Sequence, residues 1–266
     1  YLLTAFQLLP NAQKPDGSKL VLPSEVQWEW LLRSNVRGIA TPGHLRDWLG
    51  IVEQLTPKQR QSAFTAAPAE TGCLLISNIW FREASKPKEQ QQWQEILAAF
   101  RELANKALQL NLEFLWACAI RTTIIILAEY CNEFHTAVLV AEGAIAQASN
   151  DPRIMFLIKE CVGRQYVYIN RNDEALVWLN NALNQSTPQS YPLIRMHALL
   201  SASRAIGSTE PYLAIQYAQQ AVNLAQSFEE IPEIELVKAL GELAIARWLA
   251  TGLSAAFDSW NQAGER

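Results

Sequence analysis

The stretch Ile158–Pro188, IKECVGRQYVYINRNDEALVWLNNALNQSTP, decides the fold of this chain. It reads as two helices joined by the short polar link Asn170-Arg171-Asn172 and closed by Thr187-Pro188. In the second helix Ala175, Leu179 and Ala182 are spaced four and then three apart, which places them on one helical face. The same spacing comes back at Ala137, Ala141 and Ala144, at Ala214, Ala218 and Ala221, and at Ala256, Trp260 and Ala263. The register advances by 38, 39 and 42 residues. A period in that range is the signature of a helical solenoid, and such architectures offer a binding surface before they offer a catalyst.

Outward from this stretch almost everything reads as helix, with no strand-length alternation of β-branched and polar residues bounded by turns. From Lys88 about eight helices in pairs are expected beyond a first amphipathic one, Glu89–Leu108, which carries Trp93, Ile96, Leu97, Phe100, Leu103, Ala104 and Ala107 on its apolar side. Further links fall at Cys131-Asn132-Glu133, Asn150-Asp151-Pro152 and Gly207-Ser208. Each helix has an apolar stripe that it cannot bury alone, and stacking of successive pairs buries it. Small residues mark the closest approaches. The longest apolar stretch, Leu115–Tyr130, is broken by Arg121 and Glu129 and is shorter than the roughly 20 residues that span a bilayer, so it reads as a buried helix and not a membrane segment.

Residues 1–88 lack the repeat and read as a helical cap, or as a junction to an upstream domain of the same parent chain. Pro10–Pro23 is a polar loop, Ser24, Thr41-Pro42 and Thr56-Pro57 open helices, and Thr71–Ala84 is an apolar helix. Trp28 and Trp30 stand two positions apart and cannot share a helical face, so one of them is expected to touch the remainder of the parent protein. Trp93, Trp116, Trp178, Trp248 and Trp260 lie on apolar stripes and are expected in the core. The opening Tyr1-Leu2-Leu3, without an initiator methionine or a signal-peptide pattern, reads as a piece of a longer protein.

The formal charge is -4 and no basic stripe is present, so nucleic acid is not an expected partner. Cys73, Cys118, Cys131 and Cys161 are widely spread, form no Cys-x-x-Cys and read as reduced core residues, which fits a cytoplasmic location. Phosphate-binding glycine motifs are absent from the sequence. His44, His135 and His197 have no His or Cys at i+3 or i+4, so no helical metal pair and no cofactor is expected. His44 and His135 read as solvated or capping residues. Glu229, Glu230, Glu233 and Glu235 read as ordinary partners of a helix N-terminus. No acid–base or nucleophile constellation converges, and the chain is not expected to be an enzyme.

With these residues in hand the chain resembles a tetratricopeptide repeat (TPR) array. Gly163 and Tyr166 stand at the family's first-helix small residue and aromatic, and Ala175, Leu179 and Ala182 match its second-helix pattern. Pro188 closes that unit one place late, and other units keep Ala202 and Ala244, with Ile125 as a departure. The resemblance implies an all-α, right-handed α-α superhelix over residues 89–266, in units of about 89–111 (partial), 112–152, 153–188, 189–228 and 229–266. The long period is similar to the repeat arrays in the sensor ends of STAND-class signalling NTPases. In the family the first helix of each pair lines a concave groove, whose outward positions here map to Thr122, Ile126, Glu129, Glu160, Arg164, Tyr168, Leu199, Ser203, Lys238, Glu242 and Ile245. The lysine–asparagine clamp of chaperone-tail-binding members is missing. Arg164 and Tyr168 are the foremost contact candidates, and Arg164 can alternatively pair with Glu160 one turn earlier. The expected function is a protein–protein interaction or sensor module for a protein or peptide ligand within a larger signal-transduction or defence protein; the alternative is a passive scaffold for complex assembly.

Overall fold

The computed structural model describes residues 86–148, 151–186, 191–229, 231 and 233–264, together with Thr56, Lys58 and Glu83. The readings placed on Pro10–Pro23, Ser24, Trp28, Trp30, Thr41-Pro42, His44 and Cys73, most of those on Thr71–Ala84, and the link Thr187-Pro188 lie outside the described residues. Among the described residues every regular element is helical. A short 3₁₀ turn, Lys88–Gln90, precedes α1 (Trp93–Gln109) and α2 (Glu113–Ile125), which runs on into a π turn, Ile126–Tyr130. Then come α3 (Phe134–Gln147), α4 (Pro152–Tyr168), α5 (Asn172–Gln185), α6 (Pro192–Ile206), α7 (Pro211–Ser227), α8 (Glu233–Thr251) and α9 (Leu253–Gly264). The chain divides into two compact units, Tyr1–Val140 and Ala141–Arg266, with the division inside α3.

In the first unit α1 buries Trp93, Ile96, Leu97, Phe100, Ala104 and Ala107, the face that its sequence spacing predicts, and packs it on α2. α2 is covered almost all round: Leu115 through Ala119 and Arg121 through Ile125 are buried. Thr122 and Thr123 satisfy their hydroxyls inside it by donating to the carbonyls of Cys118 and Ala119, each at 2.9 Å. In the π turn the Cys131 amide reaches back five residues to the Ile126 carbonyl at 2.9 Å, and the Tyr130 ring lies 4.3 Å from that of Trp93.

The hairpin links have a local cause. Asn111, Asn132 and Asn170 adopt left-handed backbone (φ 53°, 57° and 59°), which asparagine tolerates better than bulkier residues. After α1 the amides of Asn111 and Leu112 close on the carbonyls of Leu108 and Ala107. After α4 those of Asn170 and Arg171 close on Val167 and Tyr166 in the same pattern. These paired bonds occupy carbonyls that a helix end would otherwise leave without partners, and they turn the chain back sharply.

In the second unit α4 pairs with α5, α6 with α7, and α8 with α9; α5 also packs on α6 and α7 on α8. The first helices meet as well, α4 on α6 and α6 on α8. The small-residue faces lie at the centres of the hairpins: Ala175, Leu179, Ala182, Ala214, Ala218, Ala221 and Ala256 are completely buried. Gly163 shows how close the approach is. A Cβ built there would lie 2.6 Å from Leu179 Cγ and 3.2 Å from the Leu179 backbone nitrogen. Alanine in mid-helix gains roughly 1 kcal/mol of propensity over glycine. The blocking atoms include main chain and the branch point of Leu179, so the two helices must separate, and overpacking of this kind costs about 1–3 kcal/mol. Gly163→Ala is therefore expected to lower stability by up to about 2 kcal/mol net, seen as an earlier urea midpoint at unchanged slope.

α4 starts at Asp151, whose carboxylate accepts the Arg153 amide at 2.8 Å, with Pro152 at the first helical position. The Arg153 side chain, bonded to the same carboxylate, holds the Asp151 carboxyl below its usual range, against partial burial, which pushes it up. A depressed folded-state value means a stabilisation that is present above the unfolded pKa and lost as pH falls through the folded one. Asp151→Ala should cost about 1 kcal/mol at neutral pH. The gap to the parent should close below about pH 4, as urea midpoints at the two pH values would record.

Trp93 and Trp116 are in the core as expected, and Trp178 is half-buried. Trp248 and Trp260 correct the expectation: they are 48% and 38% exposed, because they lie on α8 and α9, the last described hairpin, which no later described helix covers. Cys118 and Cys161 are buried and in the reduced, thiol form. Cys131 is only half-buried, since it sits in the turn after the π segment rather than within a packed helix.

Candidate protein-interaction face

The residues proposed from the sequence lie on α2 and its π turn and on α4, α6 and α8, and burial divides them. Thr122, Glu160, Arg164, Ser203 and Glu242 are buried, whereas Glu129, Tyr168 and Lys238 are exposed, Tyr168 by 55%. Of their neighbours in the mapping, Ile126 and Leu199 are buried and Ile245 is exposed. The buried ones do not face solvent as mapped, and the reason is the packing of the first helices on several sides at once. α6 shows this: Pro192 to Ile194, Met196 and Ala198 to Ser203 are all buried. Its solvent contact comes from Arg204, which is exposed, and from the half-buried Arg195 and His197.

Each buried polar group has work inside the fold. The Ser203 hydroxyl donates to the Ala214 carbonyl at 3.1 Å, which joins α6 to the first turn of α7. Arg164 Nε lies 3.7 Å from Glu160 Oε1 one turn earlier, an ion-pair separation, with both side chains almost fully shielded from water. Glu242 Oε2 accepts from Arg204 Nε at 2.6 Å, so a buried carboxylate on α8 is neutralised by a guanidinium that is half in solvent on α6. Glu235 is completely buried; its Oε2 lies 2.8 Å from His197 Nε2 and its Oε1 accepts from Lys238 Nζ at 2.9 Å. Glu235 thus lies in the first turn of α8, where an acid is an ordinary dipole partner, and also serves as a partner of α6 and of its own helix.

The two contacts between α6 and α8 form rungs. His197 and Arg204 are seven residues apart, as are Glu235 and Glu242, so the rungs are spaced by about two helical turns, roughly 10 Å along each axis. Burying a carboxylate is costly unless it is paired and hydrogen-bonded, and both are. A third polar tie comes from Arg195. Its guanidinium donates to the carbonyls of Leu183 and Ser186 at 3.0 and 2.8 Å, covering the C-terminal end of α5, where free carbonyls and the helix dipole favour a cation. On the second helices the Tyr217 hydroxyl donates to Asn180 Oδ1 at 2.9 Å. Burial pushes the Tyr217 hydroxyl above its usual pKa, so it stays protonated as a donor at neutral pH.

His197, Arg195 and Arg204 were not singled out as site residues by sequence reasoning. The one signal available was the shared offset of 38 residues between His197 and Glu235 and between Arg204 and Glu242, four residues (about one helical turn) short of the 42-residue advance between these two repeats. Among the described residues no helix is long and apolar enough to cross a membrane, and no group of three or more His, Cys, Asp or Glu side chains could hold a metal ion. His135 is exposed near the start of α3. No protein-family model, curated protein or solved structure matches this chain.

Proposed function

We propose that this chain is a protein-interaction module, and that a protein or peptide ligand is recognised on the wall made by the first helices of its hairpins. In this reading the hairpins continue as a right-handed, TPR-like superhelix, and the module acts as the sensor of a larger signalling or defence protein of the STAND type. The observation that carries it is the packing of α4 on α6 and α6 on α8, in addition to each helix's own hairpin partner. First helices that neighbour one another build a continuous wall, as helical repeats do. A pre-formed wall avoids the ordering that a flexible receptor would undergo on binding. Its exposed side chains, Tyr168, Arg204 and Lys238, offer rigid amphipathic area, a planar donor fork and a point charge.

The test separates binding from folding. Tyr168→Ala alters an exposed residue (55%) on the first helix α4, whereas Val177→Asp alters an exposed residue (62%) on the second helix α5. Both variants are expected to keep the parent melting temperature. A ligand captured by the parent chain should bind the first variant at least tenfold more weakly and the second equally well, measured by titration calorimetry. Equal affinity of the parent and the first variant would remove the first-helix wall as the binding surface.

A further inference from the structure

No further inference is drawn: the strongest candidate, the exposed apolar side chains Ile245, Trp248, Leu249, Leu253, Phe257 and Trp260 on the last described hairpin, α8–α9, carries nothing because nothing in the structure shows what covers them.

Discussion

Replacing Arg164 by glutamate is expected to cost the second unit about 3–5 kcal/mol at neutral pH, the range for removing one partner of a buried ion pair. Arg164 is 5% exposed and Glu160 not at all, and their charged atoms stand 3.7 Å apart on adjacent turns of α4. The substitution puts two carboxylates on one buried helical face, where neither is well solvated and each disfavours ionisation of the other. One of them must take up a proton for the helix to stay packed. The folded-state carboxyl value of the variant is then raised, so the stability missing at neutral pH returns as pH falls toward 5. Arg164→Gln keeps hydrogen-bonding capacity without the second negative charge and should lose less. Thermal melts of the three proteins at pH 7 and pH 5 decide it. A charge-reversal variant as stable as its parent at pH 7 would contradict the buried pair. Loss of ligand capture by Arg164→Glu would accordingly report unfolding, which is why the interface test rests on Tyr168.

Phe156→Ala is the other substitution with a large expected effect, about 3–5 kcal/mol for removal of a fully buried ring. Phe156 is completely buried on α4 and stacks on Tyr191, with ring centroids 6.4 Å apart and planes at 16°. Tyr191 precedes α6 with left-handed backbone (φ 52°), uncommon for a bulky residue and sustained only by its surroundings. Deleting the Phe156 ring leaves a cavity and removes one of those supports. Phe156→Leu keeps most of the volume and should cost less than about 1.5 kcal/mol. Urea unfolding followed by near-ultraviolet circular dichroism, which senses the environment of Tyr191, would measure both; equal stability of Phe156→Ala and the parent would show the site to be loosely packed.

The helical course of the chain was legible because it is encoded locally. The spacing of Trp93, Ile96, Leu97 and Phe100 marks one face of α1, and Asn132 and Asn170 mark two of the turns. The small faces at Ala175, Leu179 and Ala182 and at Ala214, Ala218 and Ala221 came out buried because backbone proximity selects small side chains wherever helices cross. Side-chain direction on the first helices was much less legible. On α6, apolar and small residues run nearly all round, so hydrophobic periodicity gives no outward face to read. Leu199 and Ser203, assigned outward by analogy of position, are buried, while Arg204, at the edge of the same helix, reaches Glu242. Contacts 38 residues apart depend on how two helices are rotated toward each other, which composition does not fix.

The rungs between α6 and α8 also bear on mechanics. A rod pinned at one point can swivel about the pin; a rod pinned at two can only bend between them. His197–Glu235 and Arg204–Glu242 therefore stiffen the step from α6 to α8 against yaw.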